Sequence, residues 1–173
     1  MASYYYLISS LPDLKTDGEM PFTYDEFLSM CQSNVSESKY ECLRVLTLSS
    51  KKGPLMKEWA TFYNNLMREL NYQRSMNLGR PYPTSHDKDS VIAQVAAAAI
   101  AAENPLESER ILLNFEFESL DSLVGLHTFD DVYLFGYAIK LKLLERQSCF
   151  VQLKGQMEFR RLFDQVQQRI YRL

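Results

Sequence analysis

From Thr128 to Leu173 the apolar residues recur at three- and four-residue steps, and this spacing constrains the fold more than any other feature of the chain. Val132, Phe135, Ile139, Leu143 and Phe150 follow it first. Phe159, Leu162, Phe163, Val166, Ile170 and Leu173 follow it next. A period near 3.6 residues puts each set on one face of an α-helix. The pattern predicts two amphipathic helices joined at Gly155, and neither carries a catalytic motif.

The rest of the chain repeats the plan. Thr23-Tyr-Asp-Glu26 is a capping box: the threonine oxygen can accept the amide of residue 26, and Glu26 can reach back to the amide of Thr23. It predicts a helix from Tyr24 to about Gln32 that buries Phe27 and Leu28. Ser36 or Ser38 can cap the next helix, with Tyr40, Leu43 and Leu46 inward. Gly53-Pro54 opens a third, whose stripe is Leu55, Trp59, Phe62, Leu66 and Leu70. An alanine-rich helix is predicted from Asp87 to Ala102. Asn104-Pro105-Leu106-Glu107 stops it and caps its successor, which carries Leu106, Leu113, Phe117, Leu120 and Val124. Thr128, Asp130 and Asp131 then start the first of the two final helices, with acids at its positive dipole end. Tyr4-Tyr5-Tyr6-Leu7-Ile8 is β-prone and reads as a short strand by propensity, or as helical turns if it docks on the C-terminal helices. The expectation is an all-α bundle of about seven helices in a single domain over residues 1–173. Residues 77–85, with Gly79, Pro81 and Pro83, are the candidate loop or hinge.

Charge and cysteine content narrow the function. Nineteen basic residues against 22 acidic ones leave a net charge of −3, which gives no general pull toward nucleic acid or anionic lipid. Three cysteines, Cys31, Cys42 and Cys149, are an odd number without C-x-x-C spacing, so a reducing cytoplasm is the expected setting. No signal-peptide pattern and no run of about 20 apolar residues is present, so no direct membrane insertion is expected.

Catalytic signatures are missing. There is no P-loop, no G-x-S-x-G and no H-E-x-x-H, and neither His86 nor His127 sits in a nucleophile–base motif. Glu107, Glu109, Glu116 and Glu118 lack the Glu-x-x-His partners of a di-iron bundle and read as a solvated acidic face. The expectation is a non-enzyme with no cofactor and no metal. Interface residues are expected at two places. Tyr4, Tyr5 and Tyr6 cannot all face one core, and tyrosine combines a large apolar body with a polar tip. Arg160, Arg161, Arg169 and Arg172 concentrate positive charge in the last helix, where arginine suits both a helix C-terminus and a protein interface.

Tyr4-Tyr-Tyr-Leu-Ile-Ser-Ser-Leu-Pro-Asp-Leu14, Asn104-Pro-Leu-Glu107 with Glu109, and Phe129 to Arg146 resemble a family of short bacterial proteins. That family is associated with V/A-type ATPase gene clusters and looks like a reduced form of the C-type ATPase subunit, whose eukaryotic counterpart is the d-type. Tyr137, Lys140, Glu145, Arg146 and Lys154-Gly155 occupy places comparable to the end of a C-type repeat, although the chain is about half the usual length. The resemblance implies a non-catalytic coupler, cytoplasmic and peripheral to the membrane through protein partners. Those partners would be the stalk and rotor-ring subunits. A generic helical adaptor with an unrelated partner is the alternative, and an enzyme with a pocket between helices is a third reading.

Overall fold

A computed structural model of the chain describes residues 4–80, 82, 89–150 and 152–170, with backbone alone at 152–154 and 170. The described residues form eight helices: α1 (Tyr5–Ser10), α2 (Tyr24–Gln32), α3 (Glu37–Arg44), α4 (Met56–Asn77), α5 (Ser90–Ala101), α6 (Pro105–Val124), α7 (Asp131–Gln147) and α8 (Gln152–Ile170). No strand occurs among them. The all-α expectation holds.

The local start signals explain several boundaries. Thr23 Oγ1 accepts the Glu26 amide at 3.3 Å, and Glu26 Oε2 accepts the Thr23 amide at 2.7 Å, so the capping box is complete. Asn104 Oδ1 accepts the Glu107 amide at 2.9 Å, with Pro105 as the first helical residue. Asn104→Ala should therefore cost about 1 kcal/mol of stability, read as a lower urea midpoint at unchanged slope. α5 is capped by Asp89, and α7 by Asp130 rather than Thr128. α4 ends at Asn77, and Gly79 turns the chain with a left-handed φ of 65°. Residues 81 and 83–85 of the expected loop, and residues 86–88 after it, lie outside the described residues.

Two apolar clusters make the core. The larger joins Leu7 and Ile8 of α1, Phe27 of α2, Leu43 of α3, Trp59 of α4 and Leu120 of α6 to α7. The smaller lies between α4, α5 and α6, on Leu66, Leu70, Ile92, Ala96, Ala99 and Leu112. Phe62 touches both clusters. Small residues set the spacing here. Ala96 and Ala99 are buried at the α5 surface, and α5 packs on α4 and α6. Gly136 of α7 lies so close to α6 that an added Cβ would come 2.6 Å from Val124 Cγ2.

α7 is the centre of the body. Leu134 to Ile139, Leu141, Leu143 and Leu144 are all buried. A helix that is apolar nearly all round can be stable only when neighbours cover most of it. Here α2 and α6 do so, together with the N-terminal segment.

That segment is helix, not strand. The Tyr4 amide donates to the Phe129 carbonyl at 3.0 Å, and the Tyr137 hydroxyl donates to the Pro12 carbonyl at 2.9 Å. Docking on the C-terminal helices overrides β-propensity, because a single segment without a neighbouring strand would leave its backbone groups unpaired.

The second correction concerns the last third. Gly155 lies inside α8, and the break falls between Gln147 and Gln152. Phe150 belongs to neither helix and is 40% exposed.

Candidate protein-interaction surfaces

Three charged residues of α6 and α7 are tied together inside the body. Arg146 Nε donates to Glu109 at 2.6 Å, while its two terminal nitrogens grip the Glu116 carboxylate at 2.9 and 2.5 Å. Glu109 and Glu116 are buried, so the acidic face expected to be solvated is solvated only at Glu107 and Glu118. The missed signal is their register. Glu109 and Glu116 are seven residues apart and share a helix face with Leu112, Leu113 and Leu120. Burial pushes the Glu116 carboxyl above the usual carboxylate range, and its bonds to Arg146 act against that rise. Burial also acts against the Arg146 charge, but the two carboxylates outweigh it and hold the guanidinium protonated. Both Glu116 oxygens are engaged by Arg146, so the carboxylates converge on a structural ion pair.

The other family-like positions on α7 are internal ties as well. Lys140 pairs with Asp121 at 2.6 Å and lies 5.2 Å from the Phe117 ring centre. Glu145 accepts from Lys142, whose ammonium is 3.7 Å from the centre of the Tyr24 ring.

The first exposed apolar surface lies at the N-terminal end of α7. Of the three tyrosines, Tyr4 is buried, whereas Tyr5 is 54% and Tyr6 87% exposed. One ring is packed and two are free, in keeping with three adjacent tyrosines that cannot share one core. The Tyr5 ring is 5.6 Å from Tyr6 and 4.7 Å from Phe129, itself 38% exposed. Lys39 bonds Asp131 and reaches the Tyr4 hydroxyl at 3.5 Å, which pins the segment beneath them.

The second surface follows the other end of α7. Every residue of α8 from Gly155 to Arg169 is exposed. Phe159, Leu162, Phe163 and Val166 lie along one stripe of the helix, each at least half exposed, with the Phe159 and Phe163 rings stacked at 6.2 Å. Their periodicity announces an apolar face, but the body does not cover it. At its start, α8 forms an open groove of about 830 Å³ with the head of α6, lined by Pro105, Leu106, Cys149, Phe150 and Phe159.

The expected arginines divide. Arg161 points away from the stripe and bonds Glu158 at 2.8 Å. Arg160 and Arg169 are exposed and make no ion pair among the described residues. Arg172 lies outside the described residues.

Cysteine environments give a direct check of this arrangement. Cys31 is fully buried, and burial pushes its thiol up to about 12. Cys42 is half-buried and Cys149 exposed. A maleimide titration of the native protein should label Cys149 first and Cys42 more slowly. Cys31 should react only after denaturation, because the thiolate is the reactive form. Early labelling of Cys31 would contradict the packing of α2.

No helix among the described residues is long and apolar enough to cross a membrane. The chain matches no known family, no curated protein and no solved structure.

Proposed function

We propose that this chain is a non-catalytic helical subunit of a V/A-type ATPase, coupling the central stalk to the membrane rotor ring. The observation that carries the coupling role is the placement of the two apolar surfaces. Tyr5, Tyr6 and Phe129 flank the start of α7, and α8 follows its end. Between them runs a buried helix of 17 residues, about 25 Å long at 1.5 Å per residue. A coupler needs two attachment faces held at fixed separation by a stiff element. A close-packed interior transmits strain in this way. The choice of ATPase rests on the resemblance of Tyr4–Leu14, Asn104–Glu109 and Phe129–Arg146 to the ATPase-associated family.

The test is affinity purification of the tagged protein from gently solubilised native membranes, with identification of every co-eluting protein. Recovery with stalk and rotor-ring subunits is the expected result. Tyr5→Ser with Tyr6→Ser, and separately Leu162→Ser with Phe163→Ser, should each remove a different part of that set. Recovery alone, from cells with an assembled ATPase, would overturn the assignment. Recovery with unrelated proteins would do so too and would favour a helical adaptor.

A further inference from the structure

α8 carries a seam of a particular width and charge. Phe159, Phe163, Val166 and Ile170 are spaced four, three and four residues apart, which is the a/d pattern of a two-helix coiled coil with Phe159 and Val166 at d and Phe163 and Ile170 at a. The flanking e and g positions are Arg160, Leu162, Gln167 and Arg169. They hold two arginines and no acid, while Glu158 and Asp164 fall at outer positions. The wider charge distribution agrees. Residues 151–173 hold five basic and two acidic side chains, net +3, whereas the remaining chain holds 14 and 20, net −6.

We infer that α8 and the groove at its base receive a single amphipathic helix of another protein, with aspartate or glutamate at the positions facing Arg160 and Arg169. The inference rests on the coupling reading for where that partner resides, and on the α8 residues alone for its chemistry. In a two-helix seam the e and g side chains choose the partner through charge. A second copy of α8 offers no acid at those positions, so self-pairing gains no ion pair there. A membrane surface fits poorly, because an interfacial helix presents a strongly cationic polar face. The outward positions of α8 instead balance Arg161 against Glu158 and Asp164, with Gln165 and Gln168 beside them. The groove beside Leu106 and Phe150 extends the apolar seam past the first turn of α8, so the partner helix can continue onto the body.

Cys149 lines that groove and is exposed, which gives a reporter without altering the seam. The full chain with Cys42→Ser would be labelled at Cys149 with a benzophenone maleimide and photolysed in solubilised native membranes. The expected product is one protein linked through a helical peptide with acids at e and g. Arg160→Glu with Arg169→Glu should lower its yield by about tenfold or more, since like charges then face each other. Arg161→Glu, at an outward position, should leave the yield unchanged, and reversing the partner's acids to lysine should restore the double variant. Circular dichroism of each variant checks that α8 stays helical.

Linkage to a second copy, to lipid, or to a protein whose yield ignores the charge reversal would overturn the inference. So would absence of any linked product, or flotation of the purified chain with phosphatidylglycerol vesicles. The two readings fail separately. If ATPase subunits co-elute equally well with the double arginine variant, this inference falls and the coupling role stands. If the acid-flanked helix belongs to a protein outside the ATPase, the coupling role falls and this inference stands.

Discussion

Arg146→Ala is expected to lower the free energy of unfolding by about 3–5 kcal/mol, the usual result of removing one partner from a buried ion pair. The loss comes mainly from what is left behind. Glu116 is fully buried, and both of its oxygens depend on the Arg146 guanidinium. Without it, two buried carboxylates two turns apart on one face of α6 are left without a cation, and at least one must take up a proton or draw in water. Urea denaturation followed by circular dichroism measures the effect as a shifted midpoint at constant slope. A charge-free triple variant, Arg146→Met with Glu109→Leu and Glu116→Leu, should recover most of the loss, because it removes the desolvation cost along with the attraction. If the triple variant is as unstable as Arg146→Ala alone, the cost lies in packing and the electrostatic account is wrong.

Gly53→Ala should be nearly as damaging, at about 2–5 kcal/mol, since two costs add. Gly53 has a φ of 120°, which an L-residue rarely adopts. Its added Cβ would also lie 2.5 Å from Cε1 of Phe135, a ring with no exposed surface. The turn has no slack to relieve the clash, because Leu55 two residues on already holds a φ of 66°. Gly79→Ala is the matched control. Its φ of 65° carries the backbone cost, but nothing lies within 4 Å of the new atom. Equal losses at both sites in the same denaturation assay would show that the Phe135 contact is not the source.

These sites also mark where sequence reading reaches its limit. Caps are local chemistry, so Thr23 with Glu26 and Asn104 with Pro105 announced their helices correctly. The α4 stripe of Trp59, Phe62, Leu66 and Leu70 was equally legible, but its start was not: Pro54 does not open the helix, which begins at Met56 after Leu55 in a left-handed turn. Periodicity reports that a helix has an apolar face but not what covers it. α7 and α8 carry the same kind of stripe, yet Phe135 and Ile139 are sealed in the core while Phe159 and Phe163 face outward. The strand-like reading of Tyr4 to Ile8 failed for a related reason, since its helix depends on contacts with Phe129 and Tyr137 far along the chain. The Glu109–Glu116–Arg146 cluster was half legible. The carboxylates lie in register with core leucines, but their cation comes from a helix 30 residues away from Glu116.

The ties between the N-terminal segment and α7 have a consequence for synthesis. Tyr4 bonds Phe129, Pro12 bonds Tyr137 and Thr16 bonds Gln147, so this segment is completed only by residues made more than a hundred positions later. At ribosomal rates that wait is on the order of ten seconds. During it, Tyr4-Tyr5-Tyr6-Leu7-Ile8 is an unpartnered, uncharged segment of high β-propensity, the composition from which intermolecular strands assemble. Until α7 has left the ribosome, that tyrosine-rich segment therefore lacks the contacts that hold it as helix.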